Sequence, residues 1–168
     1  HKIKVLEVPL CKYKDKGIPL ENISNLEPSE DVVFIESGKN VLSNKYIFIN
    51  NKGYVKIVDG TEFESTTKTV VATKLLDDSE LLSIKPNDKN EIILVSKNGY
   101  FIRFKVAEIS EMKKTSNGVR GIKLKDNDTI INCFTGNSSD NFILDEKEYP
   151  FTKIKLSKRD GVGTKTKP

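Results

Sequence analysis

Lysine and arginine side chains form the most suggestive chemical pattern in the sequence, because they recur in clusters along its second half. Residues 97–125 contain eight basic and two acidic residues, a net charge of +6, whereas residues 21–36 contain five acidic residues and no basic one. Ammonium and guanidinium groups bind phosphate oxygens, so these clusters favour a polyanionic ligand. The candidate anion-binding residues are Lys52, Lys56, Lys97, Arg103, Lys105, Lys113, Lys114, Arg120, Lys123, Lys158, Arg159 and Lys165.

Residues that could perform catalysis or bind a metal are too scattered to predict a site. The only histidine is His1, and the two cysteines, Cys11 and Cys133, are far apart in sequence. We expect them to be free, buried thiols, with a disulfide left open. Carboxylates cluster at residues 77–78 and 126–128 without a histidine nearby, which is typical of polar turns. The sequence therefore predicts no catalytic residue, no metal and no cofactor.

Composition predicts one globular domain. The chain has 168 residues, of which 36% are hydrophobic and 31% charged, a balance that allows a substantial core. It has no run of about 18 apolar residues and no signal-peptide pattern at its start. We therefore expect a cytoplasmic protein with no membrane partner.

A repeat of short strands positions the basic clusters. Residues 46–54 and 92–100 both consist of an apolar run followed by a turn that ends in Gly-Tyr, and the glycines, Gly53 and Gly99, are 46 residues apart. Repeats of about 40 to 50 residues that are built from strands indicate propeller-like blades, because one such sheet buries its faces only against its neighbours. The approximate units are residues 1–40, 41–89, 90–136 and 137–168.

Each unit is predicted to contain short antiparallel strands. Asn98-Gly99 is a favoured hairpin turn, and residues 100–106 alternate apolar side chains with cations. The predicted strands are residues 2–7, 18–23, 31–36, 46–50, 54–59, 69–75, 80–84, 92–96, 100–106, 118–124, 129–134, 141–144, 152–156 and 159–163. This pattern predicts an all-β, propeller-like fold of four-stranded repeats with about three to four blades. So few blades suggest either strands exchanged between blades in a small or open ring, or a piece of a longer domain.

The order of these motifs resembles one known family, the C-terminal domain of the A subunit of bacterial type IIA topoisomerases, that is, DNA gyrase and topoisomerase IV. The matching motifs are Lys-Val-Leu-Glu-Val-Pro at residues 4–9, Lys-Gly-Ile-Pro-Leu-Glu-Asn-Ile at 16–23, Lys-Tyr-Ile-Phe at 45–48, Lys-Gly-Tyr-Val-Lys at 52–56, and the stretches 91–104 and 118–124. Together they span most of the chain in the order found in the family.

The resemblance implies a β-pinwheel, in which blades exchange outer strands and double-stranded DNA bends around a basic perimeter. It also implies two protein partners in the parent enzyme, namely the ATPase B subunit together with the breakage-reunion domain of the same A subunit. The catalytic tyrosine and the ATPase lie elsewhere in such enzymes, so this domain is expected to be non-catalytic.

One departure from the family leaves the parent enzyme open. Gyrases carry a Gln-Arg-Arg-Gly-Gly-Lys-Gly box that permits chiral wrapping, and this sequence lacks that string. The nearest segment is residues 158–165, where Asp160 interrupts the basic residues. Either the box lies upstream of His1, or the parent is closer to topoisomerase IV.

The basic and aromatic residues also have simpler explanations than DNA binding. Any single lysine in the set is more readily explained as part of a solvated sheet face, so only the repeated clusters favour phosphate binding. Tyr54 and Tyr100 follow turn glycines, and packing explains them better than base stacking. The alternative function is a protein-interaction propeller that uses its acidic residues and binds no nucleic acid.

Overall fold

Short strands dominate the computed structural model, which describes residues 1–27, 29–76, 78–125 and 127–166. Within these ranges there is one α-helix, α1, formed by Gly38–Ser43, and Ser37 caps it by accepting a hydrogen bond from the amide of Asn40. The strands are β1 Lys45–Asn50, β2 Tyr54–Asp59, β3 Leu81–Pro86, β4 Glu91–Ser96, β5 Tyr100–Lys105, β6 Val119–Arg120, β7 Ile130–Gly136, β8 Asn141–Leu144, β9 Lys147–Pro150 and β10 Thr164–Lys165.

These strands form two four-stranded antiparallel sheets and one two-stranded sheet. The strand orders are β3-β1-β2-β6, β10-β5-β4-β7 and β8-β9. The hairpins β1–β2 and β4–β5 turn at Gly53 and Gly99, both with φ of +79°. A residue without a Cβ adopts this backbone conformation readily, which explains why glycine recurs at the turn. The fold class predicted from the sequence is therefore confirmed.

Each four-stranded sheet receives its outermost strand from the next unit. Strand β6, from the unit 90–136, pairs with β2 of the unit before it, and β10, from the unit 137–168, pairs with β5. The two exchanges are equivalent, since Gly118 precedes β6 and Gly163 precedes β10. A Cβ added to Gly118 would lie 2.8 Å from the carbonyl oxygen of Val55, so the crossing backbone leaves no room for a side chain. This exchange of outer strands is the β-pinwheel arrangement.

The units stack by burying apolar sheet faces against each other. Ile47, Ile49 and Val55 of the first sheet pack against Ile92 and Phe104 of the second. The opposite face of the second sheet packs against residues of the unit 137–168 through a separate cluster, which contains Ile93, Val95, Phe101, Phe142, Phe151 and Ile154. Both faces of β4 are thus buried, which accounts for its uninterrupted apolar sequence from residue 92 to 95.

Several strands predicted from the sequence are absent from the structure. Residues 2–7 and 18–23 contain only the 3₁₀ turns Val5–Glu7 and Leu20–Asn22, and residues 31–36 and 69–75 form no strand. Leu6 is 98% exposed, so the first of these segments has no sheet to pack on and its alternating pattern has no face to bury. In the last unit Phe151–Lys153 is a 3₁₀ turn, and the second strand is β9 instead.

The predictions for the cysteines and for the acidic turns are confirmed only in part. Both cysteines are free, but only Cys133 is buried, whereas Cys11 is exposed. The predicted acidic turns occur, with Asp78 and Asn127 at positive φ, while Asp77 and Asp126 lie outside the described residues. Within the described ranges, no helix has the length and apolarity needed to cross a bilayer.

Candidate nucleic-acid interface

The exchanged strands carry exposed cations to the outer edges of the sheets. Arg120 on β6 lies opposite Tyr54 of β2, and Lys165 on β10 lies opposite Tyr100 of β5. The two pairs occupy equivalent positions in successive sheets, and both cations are exposed. A strand from one unit therefore places a positive charge on the rim of its neighbour, which neither unit could do alone.

Further cations surround Arg120. The Arg159 Nη1 donates to the carbonyl oxygen of Arg120 at 2.6 Å, and the Lys123 amide donates to the carbonyl oxygen of Gly161 at 2.8 Å. The Arg120 guanidinium also pairs with the Asp160 carboxylate, where Nη2 lies 3.1 Å from Oδ2. Hydrogen bonding from Arg120 lowers the pKa of Asp160, and the charges of Arg120, Arg159 and Lys123 lower this pKa further. Three cations thus converge around one ionised carboxylate.

Two lysines flank the ring of Tyr100 beside this group. Lys125 Nζ donates to the Tyr100 hydroxyl at 2.7 Å and lies 4.7 Å from the ring centroid, while Lys165 Nζ lies 5.9 Å from it. Such positions over an aromatic face hold an ammonium group at the surface without neutralising it. Tyr100 also packs against the main core cluster, so its predicted packing role is confirmed. We call Arg120, Lys123, Lys125, Arg159 and Lys165 the basic edge.

Arg103 was expected to contact DNA, and the structure corrects this expectation because the residue is buried. Arg103 is 4% exposed, and its Nη2 lies 2.6 Å from Oε2 of Glu91. Its Nη1 donates to the carbonyl oxygens of Phe151 and Ile154 at 3.1 and 3.0 Å. All of these partners are internal, so Arg103 joins the second sheet to the unit 137–168 and has no free face for a ligand.

Lys56 is corrected for the same reason. It is 3% exposed, and Nζ donates to the carbonyl oxygens of Lys114 and Ser116, both at 2.6 Å. Desolvation by burial lowers the pKa of Lys56 to about 8. The side chain therefore holds the loop that precedes β6 and does not reach the surface.

The remaining predicted residues are dispersed. Lys113 pairs with Glu62, with Nζ 2.7 Å from Oε1, and Lys114 donates to the Glu62 carbonyl oxygen at 2.8 Å. These two lysines face the 3₁₀ turn Gly60–Phe63 and are partly neutralised by it. Lys97, Lys105 and Lys158 are exposed and Lys52 is partly exposed. The structure thus brings together Arg120, Lys123, Arg159 and Lys165 of the predicted set.

Sequence reasoning missed two residues that matter for this arrangement. Lys125 follows Lys123 at the spacing that keeps two side chains on one side of an extended segment, so alternation alone could have indicated it. Glu91 is the buried partner of Arg103, and its signal was a lone acid at the start of an apolar strand. Among the described residues, no group of three or more histidine, cysteine or acidic side chains is placed to hold a metal ion.

Stacked four-stranded sheets that exchange outer strands define the class of this protein as a propeller-like β-pinwheel. Comparison with known sequences narrows the class further. The family model described as "DNA gyrase C-terminal domain, beta-propeller" matches residues 44–88 and 90–137, more than half of the chain. The chain belongs to this family, which confirms the resemblance seen in the sequence.

Relatives include proteins from both enzymes. The chain is 30% identical over 159 residues to the A subunit of DNA gyrase from Helicobacter pylori, covering 92% of this chain and 19% of that protein. It is 28% identical over 147 residues to the A subunit of DNA topoisomerase 4 from Streptococcus pyogenes, covering 84% of this chain and 18% of that protein. The chain thus spans about a fifth of the length of these relatives.

Solved structures share the fold. The crystal structure of the C-terminal domain of DNA topoisomerase IV matches with a TM-score of 0.82 and 23% identity, over 95% of this chain and 53% of that one. The structure of the DNA gyrase A C-terminal domain matches with a TM-score of 0.69 and 21% identity, over 90% of this chain and 53% of that one. At these identities the likeness concerns the fold alone.

Proposed function

We propose that this chain is a non-catalytic domain that binds and bends double-stranded DNA as part of the A subunit of a type IIA topoisomerase. One observation carries the proposal: strand exchange gathers cations from different units into the basic edge. Family membership supports the same conclusion, since the relatives are A subunits of DNA gyrase and topoisomerase IV. In the parent enzyme, the breakage-reunion domain and the ATPase B subunit would be its partners, in the cytoplasm where the chromosome lies.

The chemistry of the basic edge favours phosphate contacts over base recognition. Arginine and lysine that project from strands and loops reach backbone oxygens, which confer affinity without sequence preference. The residues of the edge lie on strands and loops and not on a helix that could enter a major groove, and Tyr100 is occupied by packing and by Lys125. Binding should therefore tolerate any duplex sequence and weaken steeply as salt is added.

Bending follows from the repetition of the edge. Arg120 and Lys165 stand at equivalent positions on two sheets that stack face to face, and we infer that a duplex bends in order to contact both. Bending a duplex of 20–30 base pairs by 40–90° opposes binding by about 1–6 kcal/mol. Several phosphate contacts must offset this term, which predicts weak binding to short duplexes and tighter binding to longer ones.

The proposal is tested by fluorescence anisotropy with a labelled duplex at two salt concentrations. We expect the duplex to bind at low salt. For each phosphate that the protein neutralises, the logarithm of the affinity should fall by about 0.9 with every tenfold rise in salt concentration. A duplex labelled with a donor and an acceptor at its ends should show increased energy transfer when bound. Absence of binding at the lower salt concentration would refute the proposal and leave the protein-interaction alternative.

A further inference from the structure

The Asp160 carboxylate lies among the cations of the basic edge. It accepts hydrogen bonds from Nε and Nη2 of Arg120, and the Arg159 and Lys123 charges act on it as well. The side chains of Arg120 and Asp160 are 44% and 39% exposed. Both partners are thus accessible from solvent, so a ligand that approaches Arg120 meets this carboxylate.

We propose that Asp160 is an internal competitor of DNA, which occupies the place of a backbone phosphate on Arg120 and limits the affinity of the basic edge. This inference rests on the proposed function, because it concerns the same surface. A carboxylate and a phosphate present similar anionic oxygens to a guanidinium fork. When DNA binds, Arg120 must either give up Asp160 or hold a phosphate beside a negative charge, and both oppose binding.

The fold itself does not require an acid at this position. The amide of Asp160 donates to the Gly121 carbonyl oxygen at 2.8 Å, a bond that any residue except proline can make. In the preceding unit Thr115 stands three residues before Gly118, as Asp160 stands three residues before Gly163. The equivalent position in the preceding unit is therefore neutral, so the repeat does not require a charge at residue 160.

A second acid near the edge does not compete in the same way. Glu108 Oε2 accepts from the backbone amide of Arg159 at 3.0 Å, and the Glu108 carbonyl oxygen accepts from Arg159 Nε at 3.2 Å. Because its carboxylate bonds to a backbone amide, Glu108 positions the segment that carries Arg159. Only Asp160 places its carboxylate directly on a guanidinium of the basic edge, within the described residues.

The test is Asp160→Asn in the 168-residue chain, measured by anisotropy with a fluorescent duplex across a salt series. The amide keeps the size of the side chain and tolerates the φ of +69° at this position. We expect about fivefold tighter binding at low salt and a salt slope steeper by about 0.9, since one more cation becomes free to neutralise a phosphate. Asp160→Gly also removes the carboxylate, and glycine adopts a positive φ without strain, so this variant should bind DNA more tightly too. It keeps the test decisive if the asparagine variant does not fold.

Two matched variants separate this effect from a general gain in positive charge. Asp145→Asn makes the same charge change in the exposed β8–β9 turn, at a residue with φ of +50°, and should leave affinity within about twofold of the wild type. Arg120→Gln combined with Asp160→Asn should lose the gain, because the freed cation is gone. DNA binding that is unchanged or weakened by both Asp160 variants overturns this inference, whereas a wild-type chain that binds no DNA overturns the proposed function instead.

Discussion

At the scale of single residues, burial separates the cations that hold the fold from those available to a ligand. Arg103 is enclosed by Glu91, Ser138 and two carbonyl oxygens, and each of its contacts lies within the protein. A charge buried this way is stabilised only by its partners, so removal of one partner leaves the other desolvated and unpaired. Arg103 thus matters for stability, not for binding.

Replacing Arg103 by methionine should destabilise the domain by about 3–5 kcal/mol, because Glu91 would remain buried without its cation. Urea denaturation followed by circular dichroism measures this loss. Adding Glu91→Leu to Arg103→Met should restore part of the lost stability, because the double variant no longer buries an unpaired carboxylate. Lys105→Met, two residues further along the same strand and exposed, serves as the control and should change stability by less than about 0.5 kcal/mol. Equal, small effects of Arg103→Met and Lys105→Met would contradict the buried pair.

Lys56 should give the domain a characteristic pH dependence. Burial lowers the pKa of Lys56 from its ordinary value of 10.5 to about 8, so between these values the unfolded chain binds a proton that the folded chain has lost. Stability must then rise with pH in this window, by at most about 1.4 kcal/mol per pH unit. Neutral Lys56 keeps two N–H donors for the carbonyl oxygens of Lys114 and Ser116, so the loop stays in place.

The measurement compares urea denaturation of the wild type and Lys56→Met from pH 7 to pH 10. The difference isolates Lys56 from the tyrosines and other lysines that titrate in the same range. The wild type should gain stability relative to the variant as pH rises. A difference that stays constant, or that moves against the wild type, would show that Lys56 is not desolvated in the folded state.

At the scale of elements, the sequence predicted hairpins well and exchanged strands poorly. Apolar runs and Asn-Gly or Lys-Gly turns located β1, β2, β4 and β5 within one residue, because local propensity and burial agree there. The exchanged segment was predicted over residues 118–124, yet only Val119–Arg120 forms a strand. Its pairing depends on where a different unit lies in space, which no local pattern encodes. The predicted strands in residues 1–37 failed because those residues lack a sheet to pair with.

The same limit explains the outcome for the candidate site. Alternation predicted that Arg103 would lie on an outer face, on the assumption that a sheet in this fold has a solvated side. The second sheet instead packs on both faces, so the face that carries Arg103 is covered by Phe151 and Ile154 of the next unit. Arg120 and Lys165 were predicted as cations, but their equivalence became visible only through strand exchange.

Gly118→Ala tests the crossing point of the exchanged strand. Gly118 has φ of +91°, and an added Cβ would lie 2.8 Å from the Val55 carbonyl oxygen. Gly99→Ala is the matched control, since Gly99 also has positive φ, at +79°, but nothing lies within 4 Å of its added Cβ. The control should cost roughly 1–2 kcal/mol from backbone strain alone, and Gly118→Ala should cost more.

Hydrogen exchange shows whether the loss of stability in Gly118→Ala is centred on β6. The Gly121 amide, which donates to the Gly53 carbonyl oxygen at 2.7 Å, should lose protection in Gly118→Ala and keep it in Gly99→Ala. DNA affinity should also fall in Gly118→Ala, because Arg120 on β6 loses its fixed position. Equal protection of Gly121 in the two variants would mean that β6 does not depend on the glycine.

At the scale of the whole molecule, the net charge is a modest +4, but acidic and basic residues are concentrated in different parts of the chain. The acidic stretch 21–36 lies in the first unit, whose described residues form no strand, while the basic edge lies where the last two units exchange strands with their neighbours. If the basic edge is the DNA-binding surface, we expect this distribution to orient a polyanion on approach, because cations are concentrated there. The proposed binding therefore depends more on how the charge is arranged than on its sum.

The basic edge is tested most directly by removing its charge and comparing an equal loss elsewhere. One variant carries Arg120→Gln, Lys123→Gln, Lys125→Gln and Lys165→Gln, and the control carries Lys12→Gln, Lys39→Gln, Lys68→Gln and Lys147→Gln, so both lose four positive charges. Each is titrated with a labelled duplex across a salt series.

The edge variant should lose most of its affinity at low salt and show a salt slope shallower by up to about 3.6, at about 0.9 for each lost phosphate contact. The control should keep the slope of the wild type and lose little affinity. Equal losses in both variants would mean that DNA responds only to total charge, and would contradict the claim that strand exchange builds the binding surface.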